Sequence, residues 1–308
     1  MSIEQLDHLV GLIRSRPPLG DGDVAEMRAA LEGMGAMLPV DPEARFSAVE
    51  IDSLRAEWAD APEADPARAV LYLHGGGYVA GSVAAYRSLT ARLSLAASAR
   101  VLVLGYRLAP EHPFPAAIED SVAAYRWLLQ QGYGPKSVAV AGDSAGGGLA
   151  VATLLSIREA ELARPAAGVL LSPLLDLEAT GESMITKASE DPMVQPASAL
   201  LNASRYLNGA DPRSPLASPL YADLAGLPPL LIQVGASECL LDDSRRFAAR
   251  AREAGVDVQL EEWDRMIHVW QAFAPMLDEG QQAIDRIGAF LSRALEASAG
   301  RRQAVSPA

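Results

Sequence analysis

A serine lies between two glycines in residues 142–146 (GDSAG), directly after a short apolar, β-branched run and before an apolar helical pattern. A Gly-x-Ser-x-Gly sequence at a strand-to-helix turn is typical of a nucleophile elbow, which exposes the serine hydroxyl at the tip of the strand. Glycines allow neighbouring backbones to come close at such a turn. Because the pattern also arises by chance in a chain rich in Gly and Ala, the interpretation depends on the flanking strand and helix. It predicts that Ser144 is a nucleophile.

A serine hydroxyl needs a base to take its proton, and the chain has four histidines. Only His268 follows Ser144 and also lies after the last predicted strand, so we predict it as the base. An acid that orients this histidine is expected in the loop 235–243, which holds three carboxylates. Asp242 and Asp243 precede a helical pattern, where capping gives them a structural role. Glu238 is therefore the predicted acid, and Asp242 is the alternative.

A second glycine-rich segment follows an apolar run, at residues 74–77 (HGGG). Three glycines allow the main chain to bend toward a ligand with free N–H groups, and a loop of this type forms half of an oxyanion hole. The other half is the N–H that follows the nucleophile, here that of Ala145. The run matches neither of the common nucleotide-binding glycine patterns. We therefore expect backbone donors for a developing oxyanion.

Composition excludes several other functions. The chain has 308 residues, 26 basic and 39 acidic side chains, and a net charge of −13, which argues against a nucleic-acid partner. Its single cysteine, Cys239, permits neither an internal disulfide nor a cysteine-based metal site. The first residues lack the apolar core of a secretory signal, and no stretch is apolar enough to span a bilayer. We expect a cytoplasmic protein without a membrane span.

From Ala69 onward, short apolar runs alternate with helical patterns, which predicts a mostly parallel sheet covered by helices on both faces. An antiparallel strand pair is predicted just before it. The predicted strands are Phe46–Ile51, Leu54–Ala59, Ala69–Leu73, Val101–Gly105, Ser137–Ala141, Gly168–Leu171, Pro229–Val234 and Val256–Glu261. The predicted helices are Leu6–Arg14, Val24–Leu38, Val83–Ala97, Ala116–Gln130, Leu149–Ala160, Ser244–Glu253 and Glu279–Leu295. Sites in such sheets lie at the carboxyl ends of the strands.

Residues 176–215 interrupt this alternation, because they are rich in Pro, Ser and Met and contain no clear strand. A long insertion at the carboxyl end of a strand favours a lid or pocket wall, although a packing insertion or a dimer surface is the alternative. We therefore predict an N-terminal helical cap segment (1–45), a catalytic core (46–175 and 216–297), a cap insertion (176–215) and a flexible tail (298–308).

The motifs HGGGY (74–78) and GDSAGG (142–147) together resemble those of the bacterial hormone-sensitive lipase-like esterases, family IV of the lipolytic enzymes. Further matching segments extend the resemblance over residues 45–295. They are YRLAPE (106–111), HPFPA (112–116), DPRSPLASP (211–219), LAGLPP (224–229) and the loop around His268.

This resemblance implies an α/β-hydrolase fold whose cap combines the N-terminal helices with the insertion. It implies oxyanion donors at the amides of Gly76, Gly77 and Ala145. The family's acid loop reads Asp-Pro-Leu-x-Asp, and its first position falls on Glu238 here. The family hydrolyses short- to medium-chain carboxylic esters, which implies a small-molecule ester substrate and no metal or organic cofactor.

The sequence also fits other functions, a homodimer and several candidate substrate contacts. A hydrolase-like binding protein is an alternative function, as is hydrolysis of amides or peptides by the same machinery. The run Val256–Trp263 reads as an edge strand through which a homodimer could form. Position alone suggests a set of substrate contacts: Tyr78, Asp143, Met34, Leu38, Leu200 and Tyr206.

Overall fold

The computed structural model describes residues 2–16 and 22–296, and within these ranges one eight-stranded sheet forms the centre of the molecule. The predicted flexible tail (298–308) lies outside the described residues. The strands are β1 (Arg45–Ile51), β2 (Leu54–Asp60), β3 (Asp65–Leu73), β4 (Ala99–Gly105), β5 (Val138–Asp143), β6 (Ala167–Leu171), β7 (Leu230–Gly235) and β8 (Val258–Trp263).

Helices connect most of these strands. They are α1 (Ile3–Arg14), α2 (Val24–Met37), α3 (Arg87–Ala97), α4 (Ala116–Gln130), α5 (Ala145–Glu159), α6 (Ser183–Thr186), α7 (Pro196–Leu207), α8 (Leu241–Glu253) and α9 (Asp278–Ala294). Short 3₁₀ turns lie at Pro135–Ser137, Pro219–Tyr221 and Trp270–Phe273.

The strand order is β1-β2-β4-β3-β5-β6-β7-β8. β1 pairs antiparallel with β2, and β2 pairs antiparallel with β4, whereas every pair from β4 to β8 is parallel. The carboxyl ends of β3 and β5–β8 therefore meet at one edge of the sheet, so the loops that follow them form one surface. These loops hold the glycine run, Ser144, Glu238 and His268.

Both faces of the sheet are covered, which explains why the central strands are apolar throughout. Every residue of β5 and β7 is buried. Side chains of β3 alternate between two cores: Leu71 packs with α4, α5 and α8, whereas Val70 and Tyr72 pack with α3 and α9. The mostly parallel sheet with helices on both faces, predicted from the alternation, is thus confirmed.

The N-terminal helices pack against the loop after β8. Leu6 and Leu9 of α1 belong to an apolar cluster with Ile267 and Trp270, which lie within two residues of His268 in the chain. Met34 of α2 and Met193 of the insertion pack against the same cluster. These segments therefore cover the carboxyl edge of the sheet.

Two helices begin four residues away from their predicted starts. The helix predicted from Leu149 begins at Ala145, and the one predicted from Val83 begins at Arg87. In the first case the missed turn is AGGG, whose small residues carry no apolar periodicity. The insertion contains α6 and α7 and no strand, as expected. β8 lies at the edge of the sheet, and pairing of two copies through it stays a prediction.

Candidate active site

Ser144 occupies a strained turn between β5 and α5. Its backbone has φ 53° and ψ −123°, a conformation that L-residues rarely adopt outside functional sites. Its N–H donates to the Leu171 carbonyl at 2.8 Å. A Cβ on Gly142 would lie 2.2 Å from the Gly146 carbonyl oxygen, and one on Gly146 would lie 2.0 Å from that of Leu73. Only glycine fits at these two positions, so they allow the sharp turn that presents Ser144.

His268 lies in the loop after β8 and is 4% exposed. Its Nδ1 is 3.4 Å from Oε1 of Glu238, a fully buried residue in the loop after β7. The other carboxylate oxygen, Oε2, accepts from the Ser172 hydroxyl at 2.8 Å and from the Gly235 N–H at 3.1 Å. The Val269 N–H in turn donates to the Ser172 hydroxyl at 3.1 Å. These bonds fix the carboxylate so that one oxygen faces the imidazole.

The charges around His268, Glu238 above all, favour the protonated, positively charged form of its imidazole. Burial by itself lowers the pKa of His268, but the hydrogen bond and charge of Glu238 outweigh it. The charges of Asp191 and Asp143 act in the same direction, so the pKa of His268 is raised overall. A histidine with a raised pKa and a fixed partner is suited to take a proton and hold it during a reaction.

Of the three carboxylates in the loop 235–243, Glu238 alone contacts His268 within the described structure. Asp242 Oδ2 accepts instead from the Ser183 N–H at 2.8 Å. Asp243 Oδ2 accepts from the Leu175 N–H at 2.8 Å, and burial raises the pKa of this side chain to about 7. Both aspartates therefore hold the start of the insertion against α8.

Backbone donors lie beside the serine. Gly76 has φ +114° and Gly77 has φ +63°, and both line the same cavity as Ser144 and His268. A Cβ on Gly76 would lie 2.2 Å from the Ala80 carbonyl oxygen, which excludes larger residues. Ala145 is the first residue of α5, where backbone N–H groups have no partner within the helix. The arrangement can stabilise negative charge on an oxygen bound at Ser144.

Asp143 holds the glycine loop in place. Its Oδ1 accepts from the Gly75 N–H at 3.0 Å and from the Tyr72 hydroxyl at 2.8 Å, and its Oδ2 accepts from the Tyr86 hydroxyl at 3.0 Å. Burial raises the pKa of Asp143 to about 6, against the effect of these donors. Asp143 also lines the cavity, so it both supports the loop and borders the space above Ser144.

The cavity has a volume of about 150 Å³ and a mostly apolar wall. Its apolar side chains include several from α2 and the residue after it, from the insertion and from the loop after β8: Met27, Leu31, Met34, Leu38, Met193, Val194, Val269 and Phe273. A small organic molecule with an apolar part fits such a wall.

The predicted substrate contacts divide into two groups. Met34 and Leu38 line the cavity, as does Asp143. Leu200, Tyr78 and Tyr206 do not line it, and substrate contact by these three stays a prediction. Leu200 is 47% exposed on the outer face of α7, because Ser198, Ala199 and Asn202 occupy the inner face. Tyr78 and Tyr206 are buried and stack on each other, with ring centroids 3.8 Å apart.

Sequence reasoning missed three residues near the site: Ser172, Asn202 and Asp191. Asp191 of the insertion is 2% exposed, and its Oδ2 accepts from the Cys239 N–H at 2.8 Å. Its Oδ1 accepts from the N–H groups of Met193 and Val194 at 2.9 and 3.0 Å. The dipeptide Asp191-Pro192 favours a local turn. Nothing in the sequence signalled that this turn would meet the residue after Glu238.

Across residues 2–16 and 22–296, no helix has the length and apolar character needed to cross a membrane. The same residues contain no cluster of three or more side chains suited to hold a metal ion.

Comparison with known proteins identifies the family of this chain. A family model for the alpha/beta hydrolase fold matches residues 70–272. An acetyl-hydrolase of Streptomyces hygroscopicus is 50% identical over 246 residues, which cover 80% of this chain and 82% of that protein. An esterase of Acinetobacter venetianus is 34% identical over 265 residues, covering 86% and 87%.

A crystal structure of an esterase from the bacterial hormone-sensitive lipase family superposes with a TM-score of 0.93. Its sequence is 51% identical, and the match covers 95% of this chain and 99% of that one. The chain therefore belongs to the α/β-hydrolase fold family. Within that fold it is a member of the bacterial hormone-sensitive lipase family of esterases, as the paired glycine motifs predicted.

Proposed function

We propose that this protein is a serine carboxylesterase that cleaves short- to medium-chain carboxylic esters through an acyl-enzyme. Ser144 is the nucleophile, His268 is the general base and acid, and Glu238 orients the imidazole. The amides of Gly76, Gly77 and Ala145 form the oxyanion hole. The observation that carries the proposal is that Ser144 and His268 line one cavity while His268 is held by a buried carboxylate.

The reaction follows from these positions. The Ser144 oxygen attacks the ester carbonyl carbon while His268 takes the hydroxyl proton, and the carbonyl electron pair moves to the oxygen facing the backbone amides. The oxyanion then collapses, the bond to the alkoxy oxygen breaks, and His268 gives its proton to the departing alcohol. Water repeats the sequence on the acyl-enzyme, which releases the acid and restores Ser144.

The shape of the cavity supports the short-chain preference. Its wall is closed by α2 on one side and by residues 193–202 of the insertion on the other. A volume of about 150 Å³ accommodates a short acyl group. We accordingly assign residues 1–45 and 176–215 to a cap over a catalytic core formed by 46–175 and 216–297. The names of the relatives, an acetyl-hydrolase and an esterase, are consistent with such substrates.

The test is hydrolysis of p-nitrophenyl esters from acetate to palmitate by the wild-type chain and by Ser144→Ala. We expect the wild type to prefer the short esters and Ser144→Ala to lose turnover by several orders of magnitude without unfolding. Ser156→Ala is a matched control, because this serine lies on the same helix and its buried Oγ has no hydrogen-bond partner in the described structure. Near wild-type turnover by Ser144→Ala would end the nucleophile assignment. A preference for palmitate would contradict the small pocket.

A further inference from the structure

One polar group in the cavity wall has no role in the proposed mechanism. Asn202 lies on α7, is 9% exposed, and lines the cavity together with the oxyanion glycines. Its neighbours in that wall include the apolar side chains of Met27 and Ala199. A buried amide in apolar surroundings is costly unless its hydrogen-bonding groups are satisfied.

The orientation of this amide is fixed by chemistry. Arg205, one helical turn further along α7, donates from Nη1 to Oδ1 of Asn202 at 3.0 Å. Because a guanidinium has donors and no acceptor, the amide oxygen must face it and the amide nitrogen must point away. Arg205 is itself held from a second direction, since its Nη2 donates to the Gly22 carbonyl at 3.1 Å.

The amide nitrogen is directed to the oxyanion loop. Nδ2 lies 3.1 Å from the point that a Cβ on Gly77 would occupy. Within residues 2–16 and 22–296, no acceptor makes a hydrogen bond to Nδ2. A donor that is preoriented, nine-tenths buried and unpartnered beside the reacting centre is placed to meet a polar atom of a bound substrate.

We propose that Asn202 is a specificity-determining residue whose Nδ2 donates a hydrogen bond to an acceptor oxygen of the ester substrate. This proposal rests on the proposed esterase function and names the substrate class more closely. The preferred esters carry an ether, hydroxyl or carbonyl oxygen two or three bonds from the scissile carbonyl or from the alkoxy oxygen. Plain alkyl esters of the same size leave the amide donor unsatisfied.

The experiment compares isosteric ester pairs. For the acyl side, p-nitrophenyl methoxyacetate is compared with p-nitrophenyl butyrate, in which a methylene replaces the ether oxygen. For the alcohol side, 2-methoxyethyl acetate is compared with butyl acetate. The quantity measured is the ratio of kcat/KM for the oxygenated ester to that for the alkyl ester, which is then compared between wild type and variants so that intrinsic reactivity cancels.

Two variants remove the donor in different ways. Asn202→Leu removes the whole amide at similar size, whereas Asn202→Asp keeps an acceptor for Arg205 and presents an oxygen where Nδ2 was. We expect the selectivity ratio of one pair to fall about 3- to 10-fold in both variants, the value of one net hydrogen bond. Leu201→Ala is the control, because Leu201 is 41% exposed on the same helix and does not line the cavity. Should Asn202→Leu fail to fold, Asn202→Asp carries the test.

The outcomes separate the two proposals. A lower selectivity ratio for the acyl pair in the variants places the acceptor oxygen on the acid part of the ester. A lower ratio for the alcohol pair places it on the alcohol part. Unchanged ratios in both pairs, or an equal loss on oxygenated and alkyl esters, would overturn the role of Asn202. Absence of hydrolysis of any of these esters by the wild type would instead refute the esterase function itself.

Discussion

Replacing Glu238 by glutamine tests how the acid acts on His268. The Gly235 N–H donates to Oε2 at 3.1 Å, and a backbone N–H cannot act as an acceptor. The amide oxygen of the introduced glutamine must therefore take that position, which leaves the amide NH₂ facing Nδ1 of His268. Nδ1 must then accept a hydrogen bond, so the ring proton moves to Nε2, the nitrogen that is needed as the base.

The magnitude follows from this forced tautomer. An imidazole whose Nε2 already carries a proton cannot take the proton of Ser144, and we expect kcat to fall by about 10³- to 10⁴-fold. The substitution also removes the negative charge of the Glu238 carboxylate. Burial lowers the pKa of His268 and only its acidic partners, Glu238 first, raise it, so Glu238→Gln lowers this pKa. Because the neutral imidazole is the active form, the acid limb of the residual activity moves to lower pH.

The assay is p-nitrophenyl butyrate hydrolysis over a pH series, with circular dichroism as the check that the variant is folded. Asp242→Asn is the matched control from the same loop, because Asp242 accepts from the Ser183 N–H and does not contact His268. We expect its kcat to stay close to that of the wild type. A loss of less than tenfold in Glu238→Gln would refute the tautomer argument, and an equal loss in Asp242→Asn would show that the acid is wrongly assigned.

Two further predictions concern the surroundings of the site. Asp191→Asn weakens the bond to the Cys239 N–H and removes a charge that raises the pKa of His268, so we expect kcat to fall about 3- to 10-fold and the acid limb to move to lower pH. An acid limb at the same pH as in the wild type would contradict the predicted effect of the Asp191 charge on the pKa of His268. Gly76→Ala places a Cβ 2.2 Å from the Ala80 carbonyl oxygen at φ +114°, and we expect the free energy of unfolding to fall by about 1–3 kcal/mol together with a loss of kcat. Gly132→Ala, at φ +88° with open space around it, measures the backbone strain alone in the same thermal melts, and an equal loss there would remove the steric argument.

Local sequence was sufficient for the strand-to-helix turn at Ser144 and for the glycine loop at 74–77. Both depend on backbone conformations that neighbouring residues dictate, since only glycine tolerates the close contacts and positive φ values found there. The alternation of strands and helices likewise predicted the fold. The expected order of nucleophile, acid and base along the chain then predicted Glu238 in the loop after β7 and His268 in the loop after β8.

The tertiary structure decided which side chains meet within those loops. Ser172 follows β6, whereas Asp191 and Asn202 belong to the insertion. Each lies beside a residue more than forty positions away in the chain. Position in the sequence suggested Leu200 as a substrate contact, yet the phase of α7 turns Leu200 outward and Asn202 toward the cavity. A motif specifies its own backbone, whereas contacts between distant segments depend on how whole helices and strands pack, and that packing is a property of the entire chain.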